Sequence, residues 1–221
     1  MKRAVLNFIV FIAVTVLFSV TESRGQALTG TKTIGGTSPD YATFTAAISD
    51  LNSKGVGTGG VTFVVRDGTY TEAITLRDVT GASASNMITF VSQSMDSTKV
   101  TLTNSSTTAT VQFTPSAGNV QYYRFKWIKI VNTSTGIGNA VRFNPNSTYG
   151  TNYIKIENCI LQRATTTTSG ANYGVVSIGA TVSSSGKFQG NAFKYNVVNN
   201  GYSGFIYIIR ALLHTMHPMI H

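Results

Sequence analysis

The chain has 221 residues, of which 42% are hydrophobic and 11% are charged, and its formal net charge at pH 7 is +9. This length suits one domain with a sizeable core, and because Cys159 is the only cysteine, an internal disulfide is excluded. The basic residues mostly stand singly and accompany no nucleic-acid motif, which argues against nucleic acid as a partner.

The first predicted element in chain order is an export signal over residues 1–27. Two basic residues precede an apolar run over residues 4–20, and small residues up to Ala27 stand where a signal peptidase cleaves. The run includes Asn7 and no second apolar segment of spanning length follows, which favours a cleaved signal over a transmembrane anchor. We therefore expect a secreted, extracellular or cell-surface protein that has no membrane span after cleavage.

A short helix followed by an alternating strand is predicted within residues 38–76. Residues 38–40 read Ser-Pro-Asp, a helix start signal, and apolar residues then recur at helical spacing until Gly55. Beyond a glycine-rich link, residues 61–65 alternate between two faces, and the Asp-Gly pair at residues 67–68 predicts a turn. A helix that caps one end of a stacked sheet fits both halves.

The rest of the body is rich in Thr, Ser, Asn and Gly, and its short apolar runs predict strands and turns. A weak repeat has the anchors Ile130, Ile160 and Phe193, about 30 and 33 residues apart. Such spacing is typical of one solenoid coil per repeat, with coils rising ~4.8 Å and turn asparagines bonding between coils. A second apolar run follows each anchor, at residues 140–143, 173–178 and 205–208. The turn candidates are Asn132, Asn158, Asn191, Asn196 and Asn199.

These patterns predict an all-β fold, a right-handed parallel β-helix with a short N-terminal capping α-helix, over residues 28–208. Low charge with abundant Ser and Thr is also found in disordered chains, but the regular recurrence of Val, Ile, Phe and Tyr argues against disorder. A β-sandwich with frequent turns is the alternative all-β prediction.

The run over residues 123–127 combines basic and aromatic side chains. Alternation places Arg124 and Lys126 on one face of a half-buried strand, as an outward basic row. Such a row is either a solvated face or a contact surface for an anionic glycan or another polyanion. The carbohydrate-contact candidates are Tyr123, Arg124, Lys126 and Trp127. The predicted partner is a polysaccharide or cell-surface glycan, contacted by a monomer.

Residues 64–72 resemble the start of pectin-lyase-like β-helix proteins, and their Gly-x-Tyr-x-Glu pattern, which ends at Glu72, is similar to an element early in pectin methylesterases. Residues 29–76 also look like the beginning of large secreted β-helix surface proteins of Gram-negative bacteria. The resemblance implies the β-helix fold over residues 28–208 and export. It says little about activity.

Acidic residues are too few and too unevenly placed for the chemistry of β-helix enzymes. Such enzymes need paired carboxylates, or carboxylate-bound Ca²⁺ together with a basic residue. Of the seven acids after residue 27, only Asp96 and Glu157 lie beyond the cap and the first coil. The aspartate motifs of pectin methylesterases have no counterpart after Glu72, which is interpreted as structural. We predict no catalytic residues and no cofactor.

Residues 209–221 differ from the body, since they lack Gly, Ser, Asn and Asp and contain all three histidines. Pro218 interrupts any helix that would align those histidines, so no metal site is predicted. The tail is interpreted as a changed reading frame or an early end of a longer protein, or else as an amphipathic cap on the last coil.

The function predicted from the sequence is that of an exported, noncatalytic β-helix surface protein, serving as a rigid scaffold or a carbohydrate-contacting module. Two alternatives stay open at this point. One is a fragment of a polysaccharide-active enzyme of the pectin esterase or lyase type. The other is an adhesin-like structural module without a small-molecule ligand.

Overall fold

A computed structural model describes residues 25–105, 107–136, 138–164, 174–178, 187–201 and 203–207. The predicted export signal, apart from its last three residues, and the predicted tail over residues 209–221 lie outside the described residues.

The described residues form short strands and one helix. In chain order they are β1 (Leu28–Ile34), α1 (Phe44–Lys54), β2 (Val56–Val65), β3 (Gly68–Thr71), β4 (Ile74–Leu76), β5 (Ile88–Ser92), β6 (Val100–Asn104), β7 (Val111–Phe113), β8 (Val120–Gln121), β9 (Tyr123–Lys126), β10 (Lys129–Asn132), β11 (Val141–Phe143), β12 (Thr151–Asn152), β13 (Lys155–Glu157), β14 (Ile160–Arg163), β15 (Gly174–Ile178), β16 (Ala192–Lys194), β17 (Val197–Asn199) and β18 (Ser203–Tyr207).

Three parallel sheets run the length of the described fold. Sheet 1 has the order β1-β2-β5-β9-β13-β16, sheet 2 the order β3-β6-β10-β14-β17, and sheet 3 the order β4-β7-β11-β15-β18. From β2 onward, each coil adds one strand to each of the three sheets, while the short strands β8 and β12 pair with each other in a separate two-stranded sheet. The coils are coil 1 (β2 to β4), coil 2 (β5 to β7), coil 3 (β9 to β11), coil 4 (β13 to β15) and coil 5 (β16 to β18).

The predicted right-handed parallel β-helix is confirmed. Every strand pair in the described part of the chain is parallel, whereas a sandwich is built from antiparallel pairs, so the sandwich alternative is wrong. The second apolar runs of the predicted repeat also lie where expected, because β11, β15 and β18 are neighbours in sheet 3.

In-register aromatic rings fill the interior between the sheets. Phe63, Phe90 and Phe125 occupy equivalent positions of sheet 1, with ring centroids 4.9 and 5.1 Å apart. In sheet 3, Phe113 stacks on Phe143 at 4.8 Å. All five are fully buried, because alternate residues of each strand point inward. Burying one such ring contributes about 1.5–3 kcal/mol, so these stacks are a main source of stability.

Helix α1 covers the open end of the first coil, as predicted. It begins at Phe44 with Thr43 as its N-cap, so the predicted start at residues 38–40 is wrong. Asp40 instead accepts hydrogen bonds from the backbone N–H and hydroxyl of Thr33 (2.7 and 2.8 Å), which ties the preceding loop to β1. The predicted end at Gly55 is confirmed, since its φ of 78° ends the helix.

Glu72 joins the first coil to this helix. Its carboxylate accepts hydrogen bonds from the backbone N–H groups of Phe44 and Thr45 (3.1 and 2.8 Å) and from the Thr45 hydroxyl (2.6 Å). The first N–H groups of a helix lack partners within the helix, and a negative charge is favourable there. The residue that suggested an esterase is therefore a helix cap, in agreement with its structural interpretation.

The register of the predicted repeat is wrong. Ile130 is the neighbour of Leu161 rather than of Ile160, and Phe193 lies in sheet 1, where it is the neighbour of Ile156. Equivalent residues of sheet 1 are separated by between 27 and 37 positions, because the loops between strands differ in length from coil to coil. A fixed spacing therefore could not align the coils.

Three of the predicted turn asparagines bond between coils, and one of them, Asn132, donates to the carbonyl of Thr108 in coil 2 (2.7 Å). Asn196 donates to the carbonyl of Ile156 (2.7 Å) and accepts from the N–H of Cys159 (2.9 Å). Asn191 bridges coils 5 and 4 in the same manner. Asn158 lies in a turn, whereas Asn132 and Asn199 lie in β10 and β17.

Candidate functional site

The corner where sheet 1 turns into sheet 2 repeats one backbone conformation in three coils. Trp127, Asn158 and Tyr195 follow β9, β13 and β16, and their φ angles are 52°, 54° and 56°. The residues before them are register neighbours, so the three form a column along the solenoid axis. This left-handed conformation turns the chain within one residue.

A groove of about 470 Å³ runs along this corner. We call it the corner groove, and its lining residues are Met95, Asp96, Ser97, Trp127, Asn158, Cys159, Tyr195 and Val197. They come from four successive coils and combine rings, amides and hydroxyls. A surface of this composition offers flat apolar contacts together with hydrogen-bonding groups.

The four predicted contact residues, in β9 and directly after it, lie in different environments. Trp127 lines the groove, and the ammonium of Lys126 lies over its ring, 4.2 Å from the ring centroid. Arg124 is outward-facing and forms an ion pair with Glu157, with 3.5 Å between Nε and Oε2. The structure therefore brings Lys126 and Trp127 together and places Arg124 beside them on the outer face of sheet 1.

Tyr123 is a correction, because it is fully buried and cannot contact a glycan. Its hydroxyl donates to the carbonyl of Arg77 at 2.9 Å, and burial raises its pKa. Alternation holds within β9, where Tyr123 and Phe125 point inward. It fails at Trp127, because the left-handed turn begins there and releases that side chain to the surface.

The sequence prediction missed four groove residues that are strongly exposed or placed in the column. Met95, Tyr195 and Val197 are 64%, 85% and 52% exposed, which is unusual for large apolar side chains in this protein. Asn158 was considered only as a turn residue. The available signal was a pair motif, since Lys194-Tyr195 repeats the basic-aromatic order of Lys126-Trp127.

The outer face of sheet 1 changes character along the solenoid. In coils 1 and 2, the outward positions are neutral and hold Thr62, Val64, Thr89 and Val91. In coils 3 to 5, the equivalent positions become charged, and they are Arg124, Lys126, Lys155, Glu157 and Lys194, with Ala192 the exception. The corner groove is therefore bordered by a predominantly basic surface.

Each acid after residue 27 has a structural partner. Within the described residues, no three His, Cys, Asp or Glu side chains come together as a metal site would require. The partners are Thr33 for Asp40, Tyr41 and Lys54 for Asp50, Ser94 for Asp67, Phe44 and Thr45 for Glu72, Ser116 and Ala117 for Asp78, Thr98 for Asp96, and Arg124 for Glu157.

Asp96 and Cys159 are the titratable groups of the lining whose pKa is shifted. The backbone N–H and hydroxyl of Thr98 lower the pKa of Asp96, which keeps it ionised and unsuited to general-acid catalysis. Burial raises the pKa of the Cys159 thiol to about 12, so the nucleophilic thiolate is scarce at neutral pH. The small buried cysteine is as predicted from the sequence.

Comparison with known proteins finds similarity among solved structures only. No protein-family model and no curated protein matches the chain. Two structures of the pectin methylesterase from Aspergillus niger, in penultimately deglycosylated and deglycosylated forms, are 13% identical to it, with TM-scores of 0.32 and 0.31. Each match covers 89% of this chain and 94% of the esterase chain. At such scores, function has to be argued from the residues of this chain itself.

As for the membrane, α1 has 11 residues, and no helix in the described ranges is long and apolar enough to cross a bilayer.

Proposed function

We propose that the protein is an exported, noncatalytic β-helix that binds polysaccharide in the corner groove. The observation that carries the proposal is the placement of Trp127 and Tyr195 on the same corner, two coils apart and open to the groove. The half-buried ring of Trp127 and the exposed ring of Tyr195 are suited to stack on the apolar faces of sugar rings, while Asn158 and Ser97 offer hydrogen bonds to hydroxyl groups.

Backbone conformation supports a role for these two rings beyond packing. A positive φ is costly for a bulky residue and easily adopted by asparagine, which occupies the equivalent position as Asn158. Unfavourable backbone conformations persist mainly where they serve a function. Tyr122 and Tyr153 share the conformation, but their rings stack on each other at 5.1 Å, whereas Tyr195 is 85% exposed.

The distribution of acids supports the noncatalytic part of the proposal. Glycoside hydrolysis requires two carboxylates that flank the scissile bond. Asp96 is the one carboxylate among the described lining residues, and Thr98 holds it in the ionised form. Glu72, the residue that most resembles an esterase element, is engaged by the N-terminus of α1.

Export rests on the sequence of residues 1–27, and the resemblance of residues 29–76 to secreted β-helix proteins of Gram-negative bacteria is consistent with it. The test is to express the full chain in a Gram-negative host, separate the cell fractions and determine the N-terminal sequence of the product. We expect an exported protein that begins near residue 28. Retention of residues 1–27 in the cytoplasmic fraction would contradict export.

Binding is tested with a glycan array and three matched variants. Trp127→Asn and Tyr195→Asn remove a ring while installing the residue that coil 4 carries at this position, so backbone strain is not increased. Each is expected to weaken binding about five- to tenfold. Tyr153→Asn is the control, because Tyr153 has the same conformation at a different corner. Binding that is absent, or equal in all four proteins, would refute the proposal.

Catalysis is tested separately by incubating the protein with methyl-esterified pectin and with polygalacturonate, with and without Ca²⁺. We expect neither methanol release nor chain cleavage above the buffer control. Appreciable turnover of either substrate would overturn the noncatalytic part of the proposal and leave the binding part standing.

A further inference from the structure

The residues along the corner groove alternate in chemistry from coil to coil. Coil 3 presents Lys126-Trp127, coil 4 presents Glu157-Asn158 and coil 5 presents Lys194-Tyr195. Lys126, Glu157 and Lys194 are register neighbours, and the residues that follow them share one left-handed conformation. A cationic and aromatic unit is therefore present in coils 3 and 5, with an acidic and amide unit in coil 4 between them.

The spacing of this pattern follows from strand geometry. Neighbouring parallel strands lie ~4.8 Å apart, so the two lysine positions are roughly 10 Å apart along the axis. An extended polysaccharide advances by a similar distance over two sugar rings. A chain that lies along the axis would then place alternate rings beside Trp127 and Tyr195.

Charge distinguishes the two kinds of position. Lys126 and Lys194 attract a negative group, whereas Glu157 offers no such attraction, because its carboxylate is paired with Arg124 at 3.5 Å and its side chain is only 17% exposed. A polymer with an acid on every sugar would bring an anion against Glu157. A polymer with an acid on every second sugar would place its anions beside Lys126 and Lys194 and a neutral sugar beside Glu157.

We propose that the ligand of the corner groove is an acidic polysaccharide with one negative charge per disaccharide, bound along the solenoid axis. This proposal rests on the proposed glycan-binding function and specifies its ligand class. The acidic sugars lie beside Lys126 and Lys194, and the neutral sugar between them lies beside Glu157 and Asn158, whose amide bonds its hydroxyls.

The test measures binding of three oligosaccharides of matched length to the full chain at low salt. Hyaluronan oligomers carry an acid on every second sugar, oligogalacturonate carries one on every sugar, and carboxyl-reduced hyaluronan carries none. Because exposed ion pairs are individually weak, we expect Lys126→Gln and Lys194→Gln each to weaken hyaluronan binding about two- to fivefold. Lys32→Gln, in β1, removes the same charge far from the groove and is expected to have no effect.

Glu157→Gln gives the sharpest readout, because it should raise the affinity for oligogalacturonate more than the affinity for hyaluronan. Equal or tighter binding of oligogalacturonate by the unmodified protein would overturn the ligand class. Trp127-dependent binding of carboxyl-reduced hyaluronan at full strength would also overturn it, while leaving the glycan-binding function intact. If no oligosaccharide binds in a Trp127-dependent manner, the proposed function itself fails.

Discussion

The capped end of the solenoid and the sheet 1 to sheet 2 corner of coils 3 to 5 use charged residues in opposite ways. At the capped end, Asp40, Asp50 and Glu72 accept hydrogen bonds within the protein, and Glu72 holds α1 on the first coil. At the corner, Lys126 and Lys194 lie on the outer face of sheet 1, and the half-buried ring of Trp127 and the exposed ring of Tyr195 follow them in the chain. The difference teaches that the acids of this chain build the fold, whereas Lys126, Lys194 and the rings that follow them border the surface for which we propose a ligand.

The largest loss of stability is expected from a substitution in the aromatic interior, which lies beneath both the capped end and the corner. Phe90 stacks between Phe63 and Phe125, and its ring centroid lies 5.7 Å from that of Phe44 in α1. Phe90→Ala would open a cavity in this stack and should lower the free energy of unfolding by about 3–5 kcal/mol. Urea unfolding followed by circular dichroism measures the loss, and Phe90→Leu should lose less. A change below about 1 kcal/mol would show that the stack is not continuous.

The second-largest effect is a loss of stability at the capped end that should leave glycan binding at the corner unchanged. Glu72→Ala removes the acceptor for two N–H groups of α1, so the free energy of unfolding should fall by about 1–2 kcal/mol. Glu72→Gln keeps one acceptor oxygen and should lose less. Glycan binding should be unchanged in both variants, measured on the same array. Reduced binding with normal stability would assign Glu72 to the ligand site and invert the comparison.

Substitutions at the corner should weaken glycan binding and leave the stability of the fold nearly unchanged, which is the reverse of the result expected for Glu72. Trp127→Asn removes a half-buried ring but also relieves an unfavourable backbone conformation, so the free energy of unfolding should change by less than about 1 kcal/mol. Parallel urea titrations of this variant and the unmodified protein measure it. A loss of more than 2 kcal/mol would mean that the ring is part of the packing. Its exposure to the groove would then be incidental.

The smallest effect concerns acid stability at the capped end. The hydrogen bonds from Thr33, together with nearby Lys32, lower the pKa of Asp40 below its ordinary value of 3.8. The ionised carboxylate therefore stabilises the fold above about pH 4, and this contribution disappears as pH falls through the lowered pKa. Because the side chain is 40% exposed, screening keeps the contribution under about 1 kcal/mol.

Urea unfolding of the unmodified protein and of Asp40→Asn between pH 7 and pH 2.5 tests whether the stabilisation by Asp40 decreases as the pH falls. The unmodified protein should be the more stable at pH 7, and the difference in the free energy of unfolding should shrink as the pH falls. A difference that grew as the pH fell would contradict the assignment of Asp40 as an ionised acceptor.

Much of the fold followed from local sequence patterns, because both the alternation of residues 61–65 and the stop at Gly55 depend on near neighbours. Register did not, since loop lengths vary between coils and the pairing of Ile130 with Leu161 depends on the whole coil. The helix start was placed too early because Ser-Pro-Asp is also a loop sequence. There, Asp40 bonds back to β1 rather than capping α1.

The sequence predicted only part of the candidate site, because some of its residues come together only when the coils stack. Trp127 and Lys126 were found because they are adjacent in an unusual basic and aromatic run. Tyr123 was assigned wrongly, because it was grouped with the outward basic residues although the alternation of β9 places it on the inward face. Tyr195 was missed because only the stacking of coils places it in the same column as Trp127, two coils away.

Trp127 is the single tryptophan of the chain and lies in the corner groove, so its fluorescence reports directly on occupancy of that groove. The most direct test titrates hyaluronan oligomers into the protein while following this fluorescence and its quenching by acrylamide. A saturable spectral change, with protection from acrylamide that is weakened in Tyr195→Asn, is the expected result. Oligosaccharide binding by calorimetry with no change in Trp127 emission or quenching would contradict the corner groove as the binding site.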